Sequence, residues 1–220
     1  MNADLSARLL HILPLLISGA WTALQIALGA FVLALLLGLL LGTAATFTRR
    51  RLWRFLITAY IEWLRNVPAL AHVFILYFGL PVFGIKLSSM SAAIFGLGMI
   101  GAAVLADVFH GGFRSLHLGQ SEAALAIGMT PFQNWRYIML PQVLRNTLGP
   151  VGNYVAQLIK DTSIASAIAA PEIMFFARNL VTSTFDTSLI YLAVIAIYVA
   201  MILPIGSGFL YLERRLRRAR

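Results

Sequence analysis

Residues 19–46 read GAWTALQIALGAFVLALLLGLLLGTAAT, 28 residues without an acid, a lysine or an arginine. A helix that crosses the hydrocarbon core of a bilayer needs about 20 mostly apolar residues, so this stretch predicts a membrane-spanning helix. The composition of the whole chain agrees with that prediction. Only 11% of the 220 residues are charged and 60% are hydrophobic, whereas a soluble domain carries about 25% charged residues. An ordinary soluble enzyme and a disordered chain are therefore excluded.

The apolar run begins well before residue 19, because no acid, lysine or arginine lies between Arg8 and Arg49. Those 40 residues are too many for one span. Three residues are expected to interrupt the helix near its start: Pro14, Ser18 and Gly19. We therefore predict an interfacial segment over residues 1–17 and a first span over residues 19–46. A cleaved signal peptide is not expected, since the basic n-region is missing and the hydrophobicity continues far beyond its usual length.

The remaining spans are predicted from the other gaps between charged residues. They fall at about residues 66–85, 88–110, 146–170 and 187–212. The fourth must continue past Lys160-Asp161, because the 14 uncharged residues before this pair rise only about 21 Å as a helix. The sequence therefore predicts an all-α integral membrane protein with five transmembrane helices.

The basic residues are concentrated on one side of these spans. Thirteen of the 17 arginines and lysines lie in the segment Thr48–Arg65, in the segment Phe113–Arg145 or in the tail at residues 213–220. The positive-inside rule places that side in the cytoplasm, which puts the N-terminus outside and the C-terminus in the cytoplasm. The tail is interpreted as a topology anchor near anionic lipid heads. A nucleic-acid site is not expected, because no aromatic or domain context accompanies the bases.

Small residues recur every four positions on the first span, at Ala34, Gly38 and Gly42. This spacing lets two helix backbones approach closely in a membrane, which predicts a helix-packing face. Glycine and alanine are also simply common in membrane helices, and this plainer interpretation stays open.

The longest segment between spans is residues 113–145, and two short helices are predicted in it. The first covers Gln120–Ile127, which is rich in the helix formers Ala, Leu and Glu. Ser121 is its expected N-cap, and Gly128 is expected to stop it in a left-handed conformation.

The second helix of this loop is predicted to begin with Thr130 as N-cap and Pro131 at its first position. Gln133 completes a capping box, and Pro141 is expected to end the helix. The first helix is about two turns long and marginal alone, so it needs a partner surface. Either it docks into a groove of another protein, or it packs on the spans as a re-entrant or interfacial connector.

Several motifs in and beyond this loop have fixed spacing. Glu122-Ala123-Ala124, Gly128 and Ile138-Met139-Leu140-Pro141 resemble the EAA loop of binding-protein-dependent, type I (MetI-like) ABC importer permeases. Gly119-Gln120, Gln142 and Lys160-Asp161-Thr162-Ser163 match the polar amino-acid branch of that family. The resemblance covers about residues 18–212.

The resemblance implies a multisubunit importer in the bacterial inner membrane. Its parts would be two permease subunits (identical or related), a cytoplasmic ABC ATPase dimer and an external or periplasmic amino-acid-binding protein, with membrane lipid around the spans. The expected coupling residues are Gly119, Gln120, Glu122, Ala123, Ala124, Gly128 and Pro141. ATP and Mg would bind the partner, because no Gly is followed by Lys here and a P-loop is absent. We expect no catalytic residue, metal site or cofactor in this chain, which has no cysteine.

The same resemblance draws attention to Lys160, Asp161, Thr162 and Ser163 as a substrate path. A charge in the middle of a membrane costs about 2.5–3.5 kcal/mol on insertion scales and often marks function. The ammonium and carboxylate of an amino acid could meet these two charged side chains. The alternative is a structural or interfacial ion pair.

Two further motifs depart from the sequence pattern that is usual in this branch. Arg65-Asn66-Val67-Pro68 resembles its Arg-Gly-Thr-Pro element, and Asp107 with His110 stands where a Glu and an Arg are usual. These residues are a possible gate; otherwise Arg65 anchors topology, Pro68 starts a helix, and Asp107 and His110 pack. Farther along the chain, Glu172 predicts the start of a short external helix.

Two other functions compete with the importer hypothesis. A stand-alone ion-coupled carrier would use Lys160, Asp161 and Asp107 as a relay, and would transport without ATP or partners. A non-transporting membrane scaffold would recruit a cytoplasmic protein through the long loop. Five spans are few for a solitary carrier, and the loop motif favours the importer. The sequence does not identify the amino acid.

Overall fold

The computed structural model describes the backbone of residues 2–218 and the side chains of residues 8–216. This part of the chain is helical and contains no strand. Its α-helices are α1 (Asn2–Phe47), α2 (Arg51–Asn66), α3 (Ala69–Phe74), α4 (Ser89–Arg114), α5 (Leu118–Ala126), α6 (Pro131–Gln133), α7 (Leu140–Asn146), α8 (Leu148–Asp161), α9 (Ile173–Thr184) and α10 (Thr187–Arg218). Two π-helical turns (Ile75–Gly79 and Asn134–Met139) and two 3₁₀ turns (Leu80–Phe83 and Thr162–Ile168) continue three of them, α3, α6 and α8.

Helix α1 runs through Pro14 without a break. The predicted interruption at Pro14, Ser18 and Gly19 is wrong, while the interfacial location of residues 1–17 stays a prediction. Ile12 and Leu16 are buried against α9 and α10, so neighbouring helices support this stretch on both sides of the proline. In an apolar medium the helix also keeps more backbone groups bonded than a break would, and prolines are tolerated there when neighbours support the helix.

The small residues of α1 form its contact with α4. A Cβ added to Gly38 would lie 2.7 Å from Cβ of Leu105, and one added to Gly42 would lie 2.7 Å from the carbonyl oxygen of Ala106. Ala34 is completely buried in the same seam. The predicted packing face is confirmed.

The second predicted span, residues 66–85, corresponds to the helical stretch Ala69–Phe83 and begins at a sharp bend. Helices α2 and α3 meet there at 103°, so residues 51–83 together form one broken span or a re-entrant segment. The cause lies at Pro68, which lacks an N–H group and forces the preceding residue out of the helical region. Val67 accordingly has an extended backbone. Ile57 and Ile61 of α2 bury against α4, so the basic segment before residue 66 is a packed amphipathic helix.

The fourth predicted span, residues 146–170, corresponds to Leu148–Ile168 and ends at a bend. Helix α8 ends at Asp161, a 3₁₀ turn follows, and α9 departs at 53° after Ala169 adopts a left-handed conformation. By length and composition, three helices in the described part can cross a membrane, and up to five spans result if each bent pair counts as one. Helices α4 and α10 match the predicted spans 88–110 and 187–212 closely.

The basic tail predicted at residues 213–220 begins as a continuation of α10, whose helix reaches Arg218. Residues 219–220, and the side chains from residue 217 onward, lie outside the described residues. The anchoring role of the tail therefore stays a prediction.

Candidate functional site

The first helix of the long loop, α5, begins at Leu118, two residues earlier than predicted. Its N-cap is His117, whose Nδ1 accepts a hydrogen bond of 3.2 Å from the backbone N–H of Gly119. The predicted cap Ser121 is wrong. Its hydroxyl oxygen instead accepts a 2.6 Å hydrogen bond from Nδ2 of Asn134.

The end of α5 is confirmed as predicted at Gly128, whose φ is +85°. The N–H of Gly128 donates to the carbonyl of Leu125 at 3.0 Å, and the N–H of Met129 donates to that of Ala124 at 3.1 Å. These two bonds form a Schellman motif, which satisfies carbonyl groups at the end of the helix. The left-handed position favours glycine, because a Cβ there costs roughly 1–2 kcal/mol.

The second helix of the loop also begins as predicted. Thr130 and Gln133 form a capping box: the N–H of Thr130 donates to Oε1 of Gln133 at 2.8 Å, and the N–H of Gln133 donates to Oγ1 of Thr130 at 3.2 Å. Pro141 does not end this helix, which is a correction. A π-helical turn precedes the proline, and Nε2 of Gln142 donates to the carbonyl of Ile138 within that turn at 2.8 Å. The wider turn accommodates a residue that has no N–H to donate.

The π-helical turn Asn134–Met139 and helix α7 pack against one face of α5. The Asn134–Ser121 hydrogen bond and a 2.7 Å bond from Nε2 of Gln142 to Oε1 of Gln120 join the two helices, and Ala124 is buried between them. The opposite face of α5 is open. Glu122 and Ala123 are exposed there.

Large apolar side chains are also exposed on and near α5. Leu118 is 78% exposed, Ile127 is 80% exposed, and Phe132 of α6 is exposed as well. A surface of this kind marks an interaction site more often than a water-facing one. The arrangement is a small rigid helix with a mixed acidic and apolar face.

The Lys-Asp motif lies at the last turn of α8. Oδ1 of Asp161 accepts a 2.8 Å hydrogen bond from Nε2 of Gln157, and Lys160 is exposed. Within the described part of the chain, the two side chains form no ion pair with each other. The buried hydroxyl of Thr162 donates to the carbonyl of Ile159 at 2.7 Å, which is a structural role.

Beside this motif lies a cavity of about 340 Å³ between α8, α9 and α10. Lys160 and Ser163 border it from one side, and Tyr191 and Tyr198 border it from α10. The structure therefore brings two of the four predicted residues to one cavity.

The possible gate residues separate into two contacts. Arg65 forms an ion pair with Asp107, and both side chains are about half exposed. Nδ1 of His110 lies 2.9 Å from Oγ1 of Thr46 instead of meeting Asp107. The hydroxyl of Thr46 also lies 2.8 Å from the carbonyl oxygen of Gly42, so Thr46 connects His110 to the end of α1. Pro68 stands apart as the N-cap of α3.

One residue has a larger role than the sequence indicated. Glu172 starts α9 as predicted, but it is completely buried. Its Oε1 accepts from the N–H of Phe175 at 2.9 Å and its Oε2 from the N–H of Met174 at 3.0 Å, and the hydroxyl of Tyr198 lies 3.4 Å from Oε2. A Cβ on Gly19 of α1 would lie 2.8 Å from the backbone of Glu172. The pairing of a small residue on α1 with this cap links positions far apart in sequence.

Comparisons with known proteins agree with this arrangement. The family described as binding-protein-dependent transport system inner membrane component matches residues 34–218. A probable glutamine ABC transporter permease of Bacillus subtilis, GlnM, is 34% identical over 193 residues, which cover 86% of this chain and 89% of the relative. The glutamine transport system permease GlnP of Escherichia coli is 32% identical over 209 residues and covers 93% and 94%.

Solved structures show the same fold. An amino acid ABC transporter with histidines superposes with a TM-score of 0.86 at 27% identity, covering 95% of this chain and 97% of that one. The MetNI methionine ABC transporter gives a TM-score of 0.76 at 19% identity, which supports the MetI-like fold alone. This chain therefore belongs to the family of binding-protein-dependent transport system inner membrane components, the permease subunits of ABC transporters.

Proposed function

We propose that this chain forms the membrane passage of an ABC importer that carries a polar amino acid across the bacterial inner membrane into the cytoplasm. The observation that carries this proposal is the position of α5. One face of this helix is hydrogen-bonded to the rest of the loop, and the other face, with Glu122, is exposed. The amino-acid transport named for its relatives supports the substrate class. The distribution of bases supports an external N-terminus and a cytoplasmic C-terminus.

In this proposal α5 is the coupling helix and docks into a cytoplasmic ATPase dimer. The ATPase binds ATP and Mg, and an external binding protein delivers the amino acid to two permease subunits. Glu122 lies on the face of α5 that meets the ATPase, while Leu118 and Ile127 contribute apolar contact. A groove that receives a short helix of this kind is a common docking mode.

The packing behind α5 offers a route for motion into the spans. Gln142 and Asn134 join α5 to the helix that continues as α7. Helix α7 lies tightly on α4, since a Cβ on Gly112 would be 2.7 Å from Cγ2 of Thr147 and 3.0 Å from Cγ1 of Val143. Helix α8 follows immediately and ends at the Lys-Asp motif. A displacement of α5 would therefore be transmitted to α4 and α8, and flexible loops would absorb little of it.

The far end of this route supports a substrate role for the charged motif. Lys160 is exposed beside a cavity and lacks an ion-pair partner among the described residues. Its ammonium group could meet the carboxylate of an amino acid, and Asp161 could meet the ammonium. Thr162 supports the turn, and Ser163 borders the same cavity.

The test is whether a P-loop ATPase stays bound when the face of α5 is changed. We expect Glu122→Lys to lower the ATPase that co-purifies in detergent by several-fold while the chain remains in the membrane. The matched control is Thr182→Lys, an exposed residue of α9 whose hydroxyl bonds only to the carbonyl of Arg178. Equal ATPase recovery from wild type and Glu122→Lys, or uptake by the purified chain alone in liposomes, would contradict the proposal.

A further inference from the structure

A polar cavity of about 450 Å³ lies between the ends of α1 and α4 and the side of α2. It is near the basic segment that follows α1. Arg54 of α2 and Arg114 at the last turn of α4 line it, together with Thr46 and Thr58. Three separate helices thus place polar groups around one space.

The residues that line this cavity carry a net positive charge. Asp107 also lines it, but Arg65 already supplies the counter-charge of that carboxylate. The two ion pairs found among residues with described side chains, Arg8–Asp186 and Arg65–Asp107, leave both Arg54 and Arg114 without a carboxylate. Arg54 has only a 3.3 Å hydrogen bond to the carbonyl of Thr48. Guanidinium groups suit the planar, bidentate recognition of phosphate.

Helix α2 indicates where such a phosphate would come from. Beside Arg54 it exposes a group of large apolar side chains, each between 46% and 67% exposed: Leu52, Trp53, Phe55 and Leu56. A helix with arginines on one face and Trp, Phe and Leu on another lies in the interface plane of a membrane. A basic pocket between helices at that depth binds anionic lipid heads.

We propose that this cavity binds the phosphate of an anionic phospholipid from the adjacent leaflet, with the acyl chains lying along the apolar face of α2. Arg54 and Arg114 hold the phosphate oxygens. The imidazole of His110 is fixed by Thr46 and forms part of the wall. Asp107, whose charge is countered by Arg65, lines the cavity from α4. This inference does not depend on which solute is transported.

The test compares two double variants with the same loss of charge. The full chain is purified with its partners in a mild detergent, and bound lipids are counted by native mass spectrometry. We expect Arg54→Gln/Arg114→Gln to lower bound phosphatidylglycerol at least about tenfold, since both charged hydrogen bonds to the phosphate are lost. Phosphatidylethanolamine should not change. The control, Arg50→Gln/Arg51→Gln, removes two exposed bases outside the cavity and should retain the phosphatidylglycerol.

Three results would overturn the proposal: unchanged phosphatidylglycerol in the cavity variant, an equal loss in the control, or displacement of the lipid by millimolar inorganic phosphate. The last would assign the cavity to a free anion. If the cavity variant does not fold, wild-type protein is labelled with a phosphatidylglycerol that carries a photoreactive head group. Cross-links on peptides of α2 and α4 support the site, and cross-links confined to other helices exclude it.

Discussion

At the scale of single residues, Gly19 makes a close contact with Glu172, a residue far from it in sequence. The carboxylate of Glu172 caps α9, and the backbone beside it lies against α1 with no room for a side chain. The sequence predicts the start of a helix at Glu172, but neither the burial of this acid nor its contact with Gly19. Only the packing of α1 on α9 connects them.

We expect Gly19→Ala to lower the melting temperature of the protein in detergent, because the added methyl would lie 2.8 Å from backbone atoms that cannot rotate away. Gly206→Ala on α10 is the matched control, since nothing lies within 4 Å of its Cβ. A helical Gly→Ala change is otherwise favourable by about 1 kcal/mol. Equal melting temperatures for the two variants would contradict the close approach.

Asp161 provides the second test at this scale. We expect Asp161→Asn to raise the amino-acid concentration needed for half-maximal uptake, because the proposed partner of the substrate ammonium is lost. Gln157→Leu removes the hydrogen-bond donor to this carboxylate and leaves its charge in place. Uptake by Asp161→Asn with an unchanged dependence on substrate concentration would assign Asp161 a structural role.

At the scale of elements, the sequence correctly predicted those helix ends whose backbone groups are hydrogen-bonded by residues close in sequence. The Schellman end of α5 at Gly128 and the capping box of Thr130 involve neighbours in sequence, so the sequence predicts both. The continuous helix through Pro14, the π turn before Pro141 and the cap at His117 depend on packing partners or on competition between nearby donors and acceptors. The sequence therefore misplaced these three features.

The stop at Gly128 also allows a test of rigidity in α5. We expect Gly128→Ala to lower ATPase activity stimulated by the loaded binding protein, because a Cβ at a φ of +85° strains the turn by roughly 1–2 kcal/mol. The abundance of the chain in the membrane should not change. Gly111→Ala on α4 is the control, since its Cβ meets nothing within 4 Å and its φ is ordinary. Equal stimulation in both variants would show that ATPase stimulation does not require glycine at the left-handed end of α5.

At the scale of the whole molecule, the five-span interpretation depends on counting two bent segments as spans. The straight spans α4 and α10 were predictable, because each is a long apolar run between charged residues. The bends were not, since a gap between charges gives a length and no direction. Pro68 marks the first bend locally, but the 103° angle also reflects how α2 and α3 pack on α4.

Topology can be measured directly, because the chain has no cysteine that would need to be removed. We expect Thr187→Cys, at the start of α10, to react with a membrane-impermeant maleimide in spheroplasts. Ala126→Cys, at the end of α5, should react only after lysis, in membranes of cells without the partner ATPase, because that partner would cover this face of α5. Both positions are exposed, so access depends on the side of the membrane. The reverse pattern, or labelling of both from outside, would contradict a cytoplasmic α5.

The glycine seam between α1 and α4 has a consequence for how such a protein can change shape. Backbones that touch through Gly38 and Gly42 have no side chains between them that could repack during sliding. We therefore expect α1 and α4 to move as one rigid unit. The angular changes that open one side of the membrane and close the other would then occur at residues 67–68 and 169–172, where the helical hydrogen bonding is already interrupted.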